Sequence, residues 1–495
     1  MSAKGNRTAL CPVLKAAVDA PAQIALSDGR HTITYGDLDR IIEATATRLS
    51  ASGVMPGDLL AVPAQNSMPY AVLFYTAFRH GYRLLPLNCR LHSSDWRVQL
   101  AECRCRLLLL DHDFTLPAGD LGIETVNIHD VVRPPDHSCR PARPDPVSLD
   151  REGVIIYTSG SSGRPRGVVL TWANLHFSAL GQAAGLPPAQ DDCWLAVLPF
   201  FHVGGLSILY RTALAGCTSH ILPGFSRESV LHLVRDGRVT LLSLVPTMLS
   251  DLIRHDPDNQ LRLTKAIILG GAAADDSLRR EIVARRLPVL TSYGMTETAS
   301  MITLLDFQRQ MEKLASAGRT LPYGEVRILD DLGNAVPPGH PGRIRVRGEV
   351  LFSKYVGEQK RAADQDGFET GDLGMLDDDG YLTVLGRADR IIVSGGENLD
   401  LGRIEAAIRS IPGVSGAVVM PRPDKRWGSR PVAFVEVANA SLSESFLLQE
   451  IGRYLPRFMI PDKLIVVPHL PLTGSGKHDH SALRQQFPEL FRNQE

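Results

Sequence analysis

Short apolar runs alternate with helix-patterned stretches through most of this chain, and that alternation is what most restricts its fold. Residues 37–51 carry a helical pattern, and 58–63 follow as an apolar run of strand type. Repeated units of this kind stack helices on a largely parallel sheet, so an α/β architecture is expected. The chain has 495 residues, more than one hydrophobic core usually organises, and it should divide into at least two domains. Pro134, Pro135, Pro141, Pro144 and Pro146 mark the stretch 133–147 as a loop closing a first lobe. A second boundary is expected near 386–389, giving a large multi-lobed α/β domain over 1–387 and a small α+β domain over 388–495. In the latter, Ile404, Ile408 and Ile411 form a helical stripe after Asp400, a good N-cap residue. Strand-like runs follow at 417–420 and 432–437. A helix, the run Lys463–Val467 and a loop over 471–478 complete the chain.

Charge and composition exclude several classes. Lys+Arg total 53 and Asp+Glu 54, for a formal net charge of -1. That balance argues against a dedicated nucleic-acid or anionic-membrane binder, which needs a basic surface. The first residues, MSAKGNRTALCPVLKAAVDA, carry scattered charges and no apolar signal-peptide core. The run Leu107–Leu110 is far too short to span a bilayer. The 7 cysteines are odd in number and form no CxxC pair. Cys103 and Cys105 flank Arg104 at strand spacing, which places two side chains on one face better than it builds a zinc site. A reduced, cytoplasmic protein without structural metal or membrane insertion is expected; a homo-oligomer is left open.

Val154-Ile-Ile-Tyr-Thr158 runs into Ser159, Gly160, Ser161, Ser162 and Gly163, then Arg164-Pro-Arg166-Gly167. A β-branched strand feeding such a loop delivers backbone N–H groups and hydroxyls to a phosphate, with arginine charge beside them. The spacing is not that of a Walker A loop. Alone, the segment reads more readily as a flexible surface turn. Four further segments change its weight. Ser292-Tyr293-Gly294-Met295-Thr296-Glu297-Thr298 sets an aromatic, a hydroxyl and a carboxylate close together, able to cover a purine, bond a phosphate and hold Mg2+. Thr370-Gly-Asp372 offers a carboxylate after a turn, suited to ribose hydroxyls. Gly386-Arg387 precedes Ser394-Gly395-Gly396-Glu397-Asn398. Pro471-Leu-Thr-Gly-Ser-Gly-Lys477 places a lysine on a glycine-softened loop.

In this order the segments resemble the adenylate-forming superfamily of acyl-CoA ligases, luciferases and peptide-synthetase adenylation domains, from Thr34-Tyr-Gly36 to Lys477. The resemblance implies that the chain activates a carboxylic acid with ATP and Mg2+ and passes the acyl-adenylate to CoA. By it, 158–167 is the phosphate loop, with Arg166 among its ligands, and Gly270, Gly271 and Ala272 line the adenine. Tyr293 stacks on adenine, with Gly294 and Met295 beside it. Thr296 meets the α-phosphate and Glu297 binds Mg2+. Asp372 and Arg387 hold the ribose, and Asp389 is the hinge of a mobile C-terminal domain. Lys477 bridges the substrate carboxylate and the α-phosphate. After adenylation the small domain rotates, withdrawing Lys477 and presenting Ser394, Gly395 and Gly396 to the thiol. Carboxylate attack on phosphorus brings anions together, so a lysine, a hydroxyl and Mg2+ act as preorganised electrostatic stabilisers. No general base is needed, because the acid is already ionised at neutral pH.

The chain departs from the family pattern in three places. Arg166 stands where lysine is usual, a planar fork in place of a point charge. His480 replaces an arginine, and Leu399-Asp-Leu-Gly-Arg403 replaces an Ile-Tyr/Ser-Pro-x-Glu stretch; both are expected to alter domain contacts and leave the reaction intact.

Within the superfamily, Leu198-Pro-Phe-Phe-His202-Val-Gly-Gly205, Ser243-Leu-Val-Pro-Thr247, 268–273 and 424–431 resemble the 2-succinylbenzoate–CoA ligases of menaquinone synthesis. Arg211 lies in an otherwise apolar helical run. It either faces a second substrate carboxylate, snorkels to solvent or pairs with a local acid. His202 is either a gate beside the acyl group or a packed ring. Trp427 either packs along pantetheine or sits on a basic surface turn, where Arg426 and Arg430 could meet CoA phosphates. Another aryl- or fatty-acid–CoA ligase, a carrier-loading adenylation enzyme and a non-catalytic nucleotide binder are the competing readings.

Overall fold

The strand Leu59–Pro63 shows how the α/β pattern is realised. Leu60 and Val62 face one apolar core, whereas Leu59 and Ala61 face another. A strand buried on both faces loses the polar alternation of an exposed one, hence the uninterrupted apolar run. The computed structural model describes the chain outside residues 1–6, 92, 112–121, 136–144, 159–164, 306–309, 359–365, 395–396, 426, 439–441, 473–477 and 492–495. For 93, 310, 389, 391, 393, 397, 398 and 458 it describes the backbone alone.

The chain divides into two compact units. One comprises Met1–His340, Arg345–Thr370 and Met375–Thr383; the other Pro341–Ile344, Gly371–Gly374 and Val384–Glu495. The first unit holds a seven-stranded and a nine-stranded sheet. In the seven-stranded sheet Glu152–Thr158, Arg83–Leu87, Leu59–Pro63, Leu107–Leu110 and Thr125–Asn127 run parallel. Arg166–Thr171 and then Lys354–Tyr355 extend its edge antiparallel. In the nine-stranded sheet the parallel series is Val289–Met295, Ala266–Leu269, Leu241–Leu244, Cys193–Ala196, Thr218–Ile221 and Ile24–Ser27. Antiparallel strands close both ends.

Helices Tyr35–Ala51, Met68–His80, Trp172–Gly185 and Val203–Ala215 share one core with the facing sides of both sheets. Trp172 is fully buried in it, with Phe74 and Phe78 edge-on at 5.5 and 5.1 Å. A Cβ on Gly153 would come within 2.7 Å of the Trp172 ring, so glycine is what lets strand and indole approach. Thr34, Ser67 and Thr171 accept hydrogen bonds from first-turn N–H groups and start three of these helices. Helices Arg227–Arg235, Pro246–Arg254 and Asp276–Arg285 cover the other face of the nine-stranded sheet.

In the second unit, Ile391–Ser394 and Glu397–Asp400 form a hairpin edge beside Gly428–Val437, which pairs with Val414–Asp424 and, in parallel, with Lys463–Val467. Asp400 caps the helix Leu401–Arg409, accepting from Gly402 N at 2.7 Å, and Ile404 and Ile408 are buried, as the stripe predicts. Ile411 lies beyond the helix yet remains buried. The apolar pattern concealed Glu405, 6% exposed, whose carboxylate pairs with Arg390 and accepts from Val419 N at 2.8 Å.

Three expectations need correction. Cys103 ends the helix Ser93–Cys103 and Arg104 has φ 53°, so Cys103 and Cys105 are not in a strand, although both pack on one apolar cluster. Thr370-Gly-Asp372 does not open directly from a turn. It lies inside the strand Phe368–Leu376, where Gly371 at φ 76° takes a left-handed kink that glycine allows. The stretch 133–147 is not wholly loop, since Val147 begins a short pairing with Ala9.

Candidate active site

Parallel α/β sheets bind ligands beyond the carboxyl ends of their strands, where the strand order reverses direction. In the nine-stranded sheet the order reverses at Cys193–Ala196, which lies between Thr218–Ile221 and Leu241–Leu244. The segment leaving that strand carries His202, the N-cap residue of the helix Val203–Ala215. The neighbouring strand ends of Ala266–Leu269 and Val289–Met295 carry Gly270–Ala272 and Tyr293–Glu297. Residues far apart in sequence therefore leave one edge of one sheet.

Thr158 and Arg166 are directly paired in an antiparallel hairpin, so Ser159, Gly160, Ser161, Ser162 and Gly163 join two strands. Those five residues lie outside the described chain, as do Gly395, Gly396, Arg426 and Lys477. Arg166 stacks on the Tyr355 ring, with its guanidinium carbon 3.4 Å from the centroid, and pairs with Glu358 at 2.8 Å.

The turn after Val289–Met295 is tightly built. Thr298 Oγ1 accepts from Met295 N at 3.0 Å and donates to Ser300 O at 2.7 Å. Ala299 and Ser300 take positive φ values of 52° and 101°, sparsely populated conformations held by these bonds. A Cβ at Gly294 would fall 1.9 Å from Ser300 O, so only glycine fits. The turn presents Thr296 and Glu297 on a short 3-10 helix. Glu297 Oε1 accepts from Tyr355 Oη at 3.0 Å, and Phe352 N donates to Glu297 O at 2.9 Å. At the adjacent strand end Gly271 has φ 81°, and Ala272 is exposed.

Arg211 is only 3% exposed. Its Nε and Nη2 have no hydrogen-bond partner among the described residues, and Trp194 lies 5.8 Å from the guanidinium carbon. Among the described residues it neither snorkels nor pairs with a local acid. Burial pushes its pKa down to about 9. His202 is half-buried and edge-on to Phe201 at 4.6 Å. It precedes Arg211 by nine positions, about 14 Å along a helix axis, although helical side chains lean back toward the N-terminus.

In the second unit, Arg387 Nη1 meets Asp372 Oδ1 at 3.5 Å, and Asp372 is nearly buried. Asp389 lies in the 3-10 turn Ala388–Arg390. Ser394 is buried and accepts from Arg430 Nη1 at 3.3 Å, while the same guanidinium holds Asp462 at 2.6 Å. Arg430 is thus committed within its own unit, which does not favour a phosphate role. Trp427 is 43% exposed. Burial lowers the pKa values of His478 and His480, which flank Asp479, the N-cap of the last helix.

Sequence reasoning missed Tyr355 and Glu358. Tyr355 stands 58 positions from Glu297, in the mixed stretch Phe352-Ser-Lys-Tyr-Val356. No periodicity or spacing signal marks it.

Strand ends at a topological switch, a glycine-rich hairpin and a strained Thr-Glu turn define a nucleotide-activating class. The chain belongs to the AMP-binding enzyme family, whose model matches residues 13–356, with the AMP-binding enzyme C-terminal domain over 403–477. Among particular relatives, 2-succinylbenzoate–CoA ligase of Bacillus licheniformis is 36% identical across 92% of this chain and 95% of its own. The Bacillus subtilis o-succinylbenzoate CoA synthetase bound to its acyl-adenylate superposes with a TM-score of 0.89 at 31% identity, covering 99% of this chain and 100% of that one. The same enzyme with ATP and magnesium gives 0.87 at 31% identity, covering 97% and 100%.

Proposed function

We propose that this chain is an AMP-forming acid–CoA ligase whose acid is 2-succinylbenzoate. ATP, Mg2+ and CoA are the co-substrates and ion of that reaction, and the route is acyl-adenylate formation followed by thioester formation. The observation that carries the choice of acid is Arg211: a buried guanidinium whose Nε and Nη2 have no hydrogen-bond partner among the described residues. Such a charge is strongly unfavourable unless an anion joins it, and a dicarboxylic acid brings one beyond the carboxylate being activated. Monoacids do not.

In this reading the phosphate hairpin with Thr158 and Arg166 holds the ATP tail, and Tyr293 covers the adenine beside Gly270–Ala272. Thr296 donates to the α-phosphate. Asp372 and Arg387 orient the ribose, and His202 borders the carboxylate that reacts. The Glu297 carboxylate, already oriented by Tyr355, fits Mg2+, which takes one or two protein carboxylates and completes its shell with phosphate oxygens. When bound, Mg2+ neutralises phosphate charge. Lys477 neutralises the meeting anions in the first step, and Asp389 is the pivot, at the 387/388 boundary, that removes it for the second. Ser394, Gly395, Gly396 and Trp427 then border the pantetheine path. Among the described residues no helix is long and apolar enough to cross a membrane, and a cytoplasmic location suits these substrates.

The test is ATP–pyrophosphate exchange over a panel of acids, followed by thioester formation with CoA. Exchange with 2-succinylbenzoate at a kcat/KM far above benzoate, phenylacetate and fatty acids supports the reading. Preference for a monoacid, or exchange without thioester formation, refutes it.

A further inference from the structure

Tyr355 touches both charged groups that the site directs at the nucleotide's phosphates. Its ring supports Arg166 at 3.4 Å, and its hydroxyl donates to Glu297 Oε1 at 3.0 Å. The placement is fixed by backbone pairing. Tyr355 is registered against Val168, so Arg166 is its diagonal neighbour across the strand pair, within reach of a long side chain. Val356 N donates to Gly167 O at 2.8 Å, Ser353 N to Val169 O at 2.9 Å, and Phe352 N to Glu297 O at 2.9 Å. One short segment therefore bonds the phosphate hairpin on one side and the Thr296–Thr298 turn on the other. Tyr355 itself is only 7% exposed, and Phe352 packs edge-on to it at 4.7 Å.

We infer that Tyr355 is a positioning residue for the nucleotide site, orienting Glu297 through its hydroxyl and Arg166 through its ring. The inference rests on Glu297 as the Mg2+ carboxylate. The hydroxyl occupies one carboxylate oxygen and fixes the plane in which the other is offered to a cation. Groups that orient a metal's ligand commonly change metal affinity by about 10- to 100-fold when removed. The ring supplies a π-face for a planar guanidinium, which suits arginine at position 166 better than a compact ammonium. Glu358 accepts from Nη2 of the same guanidinium at 2.8 Å, which leaves its other N–H donors for phosphate oxygens.

Calorimetric titration of the full chain with ATP, without acid so that no turnover occurs, tests this. The readout is the ratio of Kd in EDTA to Kd in saturating Mg2+. Tyr355→Phe keeps the ring and loses the hydroxyl. It should lower that ratio about tenfold while leaving the Kd in EDTA at the wild-type value. Glu297→Gln should lower the ratio as well, and adding Tyr355→Phe to it should do nothing more. Tyr355→Leu, which removes the ring too, should also weaken binding in EDTA, and so should Arg166→Ala. A wild-type ratio for Tyr355→Phe alongside a lowered ratio for Glu297→Gln overturns the inference and spares the Glu297 assignment. A wild-type ratio for Glu297→Gln overturns both. Tyr355→Phe weakening ATP equally with and without Mg2+ shows a merely structural residue and also overturns it.

Discussion

Replacing Arg211 by methionine should make the large unit more stable and the enzyme worse at its acid. Among the described residues the buried guanidinium has no partner for its Nε and Nη2, and burial pulls its pKa down to about 9. At about 1.36 kcal/mol per pH unit, a lowering of this kind marks on the order of a few kcal/mol of unfavourable burial of the charged form. Structural relaxation returns part of it, so removal of the charge with little change in volume should add about 1–4 kcal/mol. The pH dependence has a definite sign. The unfolded chain keeps the proton well above pH 9 and the folded one only up to about 9, so above pH 9 the unfolded state binds more protons and stability rises with pH. Below pH 9 both states are charged and the penalty is fully present. The advantage of Arg211→Met should therefore shrink by about 2 kcal/mol between pH 9 and 10.5. Urea unfolding followed by tryptophan fluorescence reads this, because Trp96, Trp172 and Trp194 are all fully buried in the large unit. In the exchange assay the same variant loses charge-assisted bonds worth about 2–3 kcal/mol, raising KM for 2-succinylbenzoate roughly 30- to 150-fold and leaving KM for benzoate within about twofold. A variant that is less stable at every pH, with both KM values moved alike, would falsify this account of Arg211.

Other outcomes follow from single contacts. Gly294→Ala forces a Cβ against Ser300 O, so it should cost about 3 kcal/mol and cut exchange at least about tenfold by displacing Thr296 and Glu297; wild-type melting would contradict the strained turn. Glu405→Ala leaves Arg390 and Val419 N without their carboxylate. It should cost the small unit about 3 kcal/mol, seen as a lower urea midpoint in Trp427 fluorescence while the large unit's transition holds. Thr298→Val removes the hydroxyl that ties Met295 N to Ser300 O, and about 1–3 kcal/mol should be lost from the large unit in the same assay.

The candidate site residues were legible because their types are unusual for their surroundings: glycines and hydroxyls after a β-branched strand, a carboxylate beside a tyrosine, an arginine in an apolar helix. Elements with strong periodicity were legible too. The Asp400 cap and the Ile404–Ile408 stripe fall where the pattern puts them. What was not legible depends on pairing between distant segments. Nothing near Tyr355 says that it will lie against Val168, and from that register alone come its contacts with Arg166 and Glu297. Gly371 reads as a turn glycine and instead kinks a strand, because local composition reports a needed φ and not the ladder around it. Cys103 and Cys105 misled for a related reason: an apolar pair two positions apart suits a strand, but equally a helix end followed by a left-handed residue. Arg211 was legible as an anomaly, and only the packing around it removed two of its three explanations.

The central claim is that one lysine serves adenylation and is dispensable for thioester formation. It is tested most directly by measuring both half-reactions of Lys477→Ala with 2-succinylbenzoate. The account predicts that ATP–pyrophosphate exchange is lost while conversion of preformed acyl-adenylate and CoA to thioester stays within a few-fold of wild type. Equal slowing of both half-reactions, or exchange that survives without Lys477, would contradict it.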